Sequence, residues 1–184
     1  QVFGLTMPLI TKADGTKFGK TESGTVWLDA QRTSPYVFYQ FWLGTPDADV
    51  YKFLKYFTFL DVEEINAIAH SDAGRNGRPE AQSVLAREVT RLVHGQDGLD
   101  AAQRITEALF SDTIAALAEG DVLQLWQDGL PASTIARTNF PETLTQMLTD
   151  AGMVSSGKQV KDALARHAVT VNNRVVGLQD NGEV

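Results

Sequence analysis

The sequence predicts an α+β fold that is mostly α, with a helical body followed by a small unit of two helices and a hairpin. Three observations carry this. Between Asp29 and Asp128, apolar side chains recur at spacings of three and four, the period of one helix face. Helix start signals punctuate that stretch, and beyond residue 140 the pattern changes to helix, helix and then alternating strand. The chain has 184 residues, 43% apolar and 21% charged, with no cysteine, so a core forms without disulfides or cysteine-held metal.

The first ten residues place β-type side chains at Val2, Leu5, Leu9 and Ile10, which predicts a strand. Asp14-Gly15 is a tight-turn dipeptide, and Thr16 to Gly24 reads as a polar loop. Ser34-Pro35 and Thr45-Pro46 each set a capping hydroxyl before a proline at the first helical position. Asp61 with Glu64 three residues later has the form of a capping box. Tyr36, Tyr39, Phe41, Trp42 and Leu43, then Val50, Phe53, Leu54 and Phe57, mark the inner faces of two short helices.

A polar loop from Ser71 to Pro79 leads into a helix running from about Pro79 to His94. It carries Val84, Leu85, Val89, Leu92 and Val93 on one side, and Gly95 is its expected stop. Further helices are expected from about Gly98 to Phe110 and from Asp121 to Trp126. Residues 129–140 have neither period and read as a linker. A helix from Pro141 to Asp150 follows, then one from Gly157 to Arg166 capped by Ser155 or Ser156. Val169 to Val171 and Arg174 to Val176 alternate as strands about a two-residue turn, Asn172-Asn173.

The net charge of −7 argues against holding nucleic acid by bulk positive charge. The charge is uneven, however. Residues 24–149 carry 9 basic against 17 acidic side chains, whereas residues 1–23 are net +1 and residues 150–176 net +2. No apolar run approaches the roughly 20 residues of a spanning helix, and the start lacks the basic segment of a secretory signal, so no membrane partner is expected.

Two polar clusters could carry chemistry. Lys17-Phe18-Gly19-Lys20-Thr21 sets two cations three apart on a glycine-bearing loop, suited to a polyphosphate or simply to solvent. It lacks the spacing of a Walker loop. The second cluster is the Ser155–Arg166 segment, where Lys158, Lys161 and Arg166 share much of one helix face near an N-terminus. That arrangement fits phosphate contacts or a solvated face. The aromatic run from Tyr36 to Phe59 has core spacing, with base stacking as its alternative. His70, His94 and His167 are scattered and no ligand spacing is present, so no metal is expected.

Lys17–Thr21 sits in a longer run, Val2-Phe-Gly-Leu-Thr-Met-Pro-Leu-Ile through Ser23-Gly24, then Val26-Trp-Leu-Asp29 and Thr33-Ser-Pro-Tyr-Val-Phe-Tyr-Gln-Phe-Trp42. Together with Phe57-Thr-Phe-Leu60 and Leu92-Val-His-Gly95, this run resembles the bacterial tyrosyl-tRNA synthetases, class I aminoacyl-tRNA synthetases, along essentially the whole chain. The resemblance implies a ligase that joins tyrosine to its tRNA through a tyrosyl-adenylate made from ATP. Lys17–Thr21 would be the Lys-Met-Ser-Lys-Ser loop, with Phe18, Gly19 and Thr21 replacing Met, Ser and Ser. Lys17 and Lys20 would be catalytic, and Lys17, Gly19, Lys20 and Thr21 would contact ATP, with magnesium accompanying the nucleotide.

The same resemblance implies four parts. Residues 1–23 would end a catalytic nucleotide-binding domain, 24–128 would form the helical anticodon-arm domain, and 129–139 a linker. Residues 140–184 would be an incomplete RNA-binding module of the ribosomal small-subunit protein four type, facing RNA with Ser155, Lys158, Gln159, Lys161, Arg166, Asn172, Asn173 and Arg174. Asn173 stands where a glycine is common. The tyrosine pocket and the His-Ile-Gly-His type signature belong to an N-terminal domain that this sequence does not include. The expectation is therefore a C-terminal portion inactive alone and binding no cofactor by itself. Its partner would be tyrosine tRNA, with tyrosine and ATP as partners of the whole enzyme; that enzyme would be cytoplasmic and would dimerise through the missing domain. Two rival readings are an acidic helical domain that binds protein and a stand-alone RNA-binding protein.

Overall fold

A computed structural model describes the chain apart from residues 1, 7, 8, 19, 22, 23, 78, 112, 137, 139, 173 and 182–184, and apart from the side chains of Lys20, Thr21 and Gly24. Among the described residues it is mostly helical, with two small antiparallel hairpins. The strand expected in the first ten residues is absent: none of the described residues from 2 to 10 pairs as a strand, and Val2 and Leu5 stand 99% and 94% exposed. Apolar residues of strand type make a strand only where a partner edge accepts them, and the pairing found here starts at Thr11, with Lys17.

The Asp14-Gly15 turn forms as its residues require. Gly15 adopts φ +82°, its N–H donates to the Lys12 carbonyl, and the Lys12 N–H donates to the Thr16 carbonyl at 2.9 Å. The stretch expected as polar loop is instead a second small hairpin, in which β1 (Lys20–Thr21) pairs antiparallel with β2 (Gly24–Thr25).

In the helical body, α1 (Pro35–Leu43) starts as predicted, with the Ser34 hydroxyl accepting from the Val37 N–H at 3.1 Å. α2 (Asp47–Phe57) does not, since Pro46 occupies the cap position and no side chain caps it. Asp47 and Asp49 in its first turn complement the helix dipole instead. α3 (Val62–Ala73) begins at the Asp61–Glu64 box, whose Glu64 carboxylate accepts from the Asp61 N–H at 2.9 Å. α3 also absorbs the first three residues of the expected Ser71–Pro79 loop, because Asp72 has work to do. Its carboxylate accepts the N–H groups of Glu80 at 2.7 Å and Ala81 at 3.1 Å, closing the start of the next helix, and also the Tyr51 hydroxyl at 3.0 Å.

That next helix, α4 (Ala81–Phe110), leaves helical geometry at Gly95, φ +71° and ψ −178°, the position at which the sequence expects a stop. The chain continues through a 3₁₀ turn (Ile114–Ala116), α5 (Glu119–Gln124) and a π-helical turn (Leu125–Gly129). α1, α2, α3 and α4, the last on both sides of its break, enclose the main core, built on Phe38, Phe53, Leu54, Ile65, Leu85 and Leu99. Tyr36, Ile105 and Leu125 join α1, the second half of α4 and the π-helical turn. The π-helical turn and the residue before it reach back to the start of α1. Asp128 accepts from the Ser34 N–H at 2.8 Å, Gln124 accepts from the Tyr36 N–H at 3.0 Å, and Gln127 donates to the Ala30 carbonyl at 3.0 Å.

Residues 130–136 carry no regular structure. The helix expected from Pro141 starts later, at Leu144, because Thr143 is the residue that caps it, accepting from the Gln146 N–H at 3.2 Å. It is α6 (Leu144–Asp150). α7 (Gly157–Ala165) is capped by Ser156, which accepts from the Gln159 N–H. β3 (Val169–Val171) and β4 (Arg174–Val176) form the predicted hairpin, with Asn172 left-handed at φ +48° as a tight turn demands. Leu144, Leu148, Val160, Leu164 and Val176 make a separate small core. Asn181 closes it, accepting the N–H groups of Leu144 and Thr145 at 3.0 Å and the Thr145 hydroxyl at 2.6 Å. Among the described residues no helix is long and apolar enough to cross a membrane.

Candidate functional site

The lysine loop is held against the helical body by its non-lysine residues. Thr11 and Lys17 form an antiparallel bridge, and the Phe18 N–H donates to the Ile10 carbonyl at 3.1 Å. Ile10, Phe18 and Val26 pack against the main core. Lys52 of α2 donates to the Thr11 carbonyl at 2.6 Å while pairing with the buried Asp49 at 2.9 Å, so α2 also grips the base of the loop. The Phe18 ring lies 5.8 Å from Phe41, 5.3 Å from Trp42, 4.8 Å from Phe53 and 5.2 Å from Phe57, centroid to centroid, within the range of favourable aromatic pairing. A cavity of about 380 Å³ opens beside it, walled by Phe41, Trp42, Phe57, Val89 and Val93 and rimmed by the exposed Phe59.

Lys17 itself is exposed. Gly19 and the side chains of Lys20 and Thr21 lie outside the described residues; the backbone of Lys20 is fixed by pairing with Thr25. On the turn before the loop, the hydroxyl and N–H of Thr16 hold the Asp14 carboxyl below the usual carboxylate range, helped by the Lys12 charge. A cation on such a loop can meet an anionic phosphate without displacing the rest of the body, because the attachment is made by apolar neighbours.

The second cluster is brought together on α7 and the hairpin after it. Val160 and Leu164 face the small core, leaving Lys158 and Lys161 exposed on the outer side. Gln159 is committed locally: its side-chain oxygen accepts from the Ser155 hydroxyl at 2.7 Å and from the Ser155 N–H at 3.1 Å. Arg166 pairs with Asp162 at 2.8 Å, both well exposed, an arrangement worth little in water and readily opened. Arg174 pairs with the mostly buried Asp180 at 3.1 Å, and Asp180 also accepts from the Gly177 N–H. Asn172 sits at the hairpin turn; Asn173 is outside the described residues. Exposed lysines, the solvent-facing Arg166–Asp162 pair and an exposed Arg174 anchored on a mostly buried carboxylate form a surface that can bind phosphates.

The aromatic run resolves into packing and its exceptions. Tyr36, Phe38, Tyr39, Trp42 and Phe53 are buried, while Tyr56 and Phe59 are 59% and 90% exposed. Among the described residues no group of three or more His, Asp or Glu could hold a metal ion. Sequence reasoning missed the role of Phe18 as the anchor of the lysine loop and of Lys52 as its clamp. For Phe18 a signal existed, a large aromatic between two lysines in an otherwise polar stretch; for Lys52 none did, since its partner is a backbone carbonyl.

Comparison with known proteins places these features in context. Residues 1–111 match the family model described as tRNA synthetases class I (W and Y). The chain is 56% identical over 176 residues to the tyrosine–tRNA ligase of Aliivibrio fischeri (strain MJ11), covering 96% of this chain and 41% of that protein. It is 58% identical over 172 residues to the tyrosine–tRNA ligase of Salmonella paratyphi B (strain ATCC BAA-1250 / SPB7), covering 94% and 40%. A C-terminally truncated Coccidioides posadasii mitochondrial tyrosyl-tRNA synthetase aligns at a TM-score of 0.47 and 37% identity, over 55% of this chain and 26% of that one. The chain thus spans about two fifths of the length of the curated relatives it matches.

Proposed function

The chain belongs to the class I tRNA synthetases (W and Y), and from that premise we propose that it is the tRNA-binding, C-terminal part of a tyrosine–tRNA ligase. The observation that carries the reading is the similarity to such ligases over 96% of the chain, an extent that takes in the lysine loop, the helical body and the small unit after it. In the whole enzyme the tyrosine carboxylate attacks the α-phosphorus of ATP and pyrophosphate leaves. Negative charge then grows on the leaving group, and Lys17 and Lys20 meet it, with Gly19 and Thr21 completing the ATP contacts. Magnesium accompanies ATP as part of the substrate. Fixed cations that meet developing charge lower the barrier because they are already oriented when the charge appears.

Residues 1–23 then close the catalytic domain, 24–128 reach the anticodon arm, 129–139 are a linker, and 140–184 are an RNA-binding module like that of ribosomal small-subunit protein four. α7 and its hairpin face RNA through Ser155, Lys158, Gln159, Lys161, Arg166, Asn172, Asn173 and Arg174. The tyrosine pocket and the dimer contacts lie in the rest of the cytoplasmic enzyme, so the 184 residues alone bind tRNA without charging it.

Filter binding of the 184-residue chain to tyrosine tRNA across a salt series tests this. Binding at low salt should weaken as salt rises, and Lys158→Ala with Lys161→Ala should flatten the slope of log K against log salt by about 0.7–0.9 per lost phosphate contact. No binding at low salt overturns the RNA reading. Pyrophosphate exchange by the isolated chain overturns its inactivity.

A further inference from the structure

Beneath the lysine loop lies an aromatic seat formed by rings of α1 and α2. We propose that Phe18, seated among Phe41, Trp42, Phe53 and Phe57, is a positioning residue that sets where Lys17 and Lys20 present their charges. The proposal rests on the ligase reading above and deepens it. Phe18 is the residue directly after Lys17 and two before Lys20, and its ring is within 5.8 Å of four rings contributed by α1 and α2. The flanking tethers are weaker: a single bridge at Thr11–Lys17 and a two-residue strand pair at Lys20–Thr25. A pair of strands that short does not hold itself in place; the Lys52 contact to the Thr11 carbonyl grips the base of the loop, and the ring contacts restrain the stretch between the two lysines.

The direction of the backbone at Phe18 therefore sets where the Lys17 side chain starts, and Phe18 lies two residues before the strand that carries Lys20. Lys17 leaves on the solvent side while Phe18 enters the seat. The cavity of about 380 Å³ against the seat means that the ring has space on one side, so the loop can shift without unpacking the helical body. A lysine displaced by an ångström from a phosphate oxygen loses much of its benefit, since positioning errors of that size cost about 10²-fold in rate.

The test uses the full-length enzyme carrying these residues and measures tyrosine-dependent ATP–pyrophosphate exchange. Phe18→Ala is expected to lower kcat about tenfold or more while the KM for tyrosine stays within about twofold, because charge on the leaving group is met only in the transition state. Phe18→Leu, which refills the seat with an apolar side chain, should recover most of the loss. In a background carrying both Lys17→Ala and Lys20→Ala the further effect of Phe18→Ala should shrink to about twofold, since a residue acting through the two lysines is coupled to them. Unchanged kcat in Phe18→Ala, no recovery with Leu, or a full multiplicative loss in the background lacking both lysines each overturns the proposal. Absence of exchange in the unsubstituted full-length protein overturns the ligase reading itself, and the seat with it.

Discussion

At the scale of single residues, His94 shows how burial sets a charge state. It precedes the break in α4, its ring meets Phe38 edge-on at 4.7 Å, and its buried Nε2 has no hydrogen-bond partner. Burial holds its pKa below the ordinary histidine value, so the folded protein binds a proton there less readily than the unfolded chain. The unfolded chain takes up that proton as pH falls through about 6.5, which favours unfolding below that value and leaves stability intact above it. Thermal melts at about pH 7.5 and 5.5 should therefore show a smaller loss of Tm in His94→Leu than in the unsubstituted chain. An equal loss in both would remove His94 as the cause. The ring contact to Phe38 was not legible from the sequence, because the two residues lie on different helices and neither has a local pattern that joins them. Lys52 is illegible for the same reason, since a spacing rule sees one element at a time, whereas Phe18 carries a local signal as an aromatic between two lysines.

Among elements, the junction of α3 and α4 depends on one carboxylate. Burial alone would raise the Asp72 pKa. The N–H groups of Glu80 and Ala81, the Tyr51 hydroxyl and the Arg75 charge outweigh it and hold the carboxyl below its ordinary value. Because the folded value is depressed, the stabilisation is present at neutral pH and is lost as pH falls through the folded pKa. Asp72→Ala should cost about 1–2 kcal/mol, the range for an N-cap, read as a lower urea midpoint at pH 7 with an unchanged slope. The sequence placed Asp72 in a polar loop, and composition supports that: a short acidic residue between serine and alanine predicts a turn as well as a cap. Where capping used the residue next to the helix, as at Ser34, Thr143 and Ser156, the local signal was present in the chain, although the proline at 141 drew the expected start of α6 three residues too early. Where the acceptor came from another element, no local signal could name it.

For the molecule as a whole, the net charge of −7 averages an acidic helical middle with mildly basic ends, and the exposed lysines of the candidate sites belong to those ends. The helical architecture was legible because each helix carries its own period and punctuation. The opening strand was misjudged because a strand is a relation between segments. The closure of α1 by the π-helical turn and the residue before it is such a relation too. Gln124, Gln127 and Asp128 meet residues 88 to 97 positions earlier, at the very start of the body. Contacts of that separation must close a long loop before they return any stabilisation, so they form late. Asp128→Ala should accordingly speed unfolding while leaving the refolding rate within about twofold, in stopped-flow urea jumps; slowed refolding with unchanged unfolding would reverse that order. The residues that seal the first helix thus act as a clasp on the lifetime of the folded body, governing how long it stays shut more than how quickly it is made.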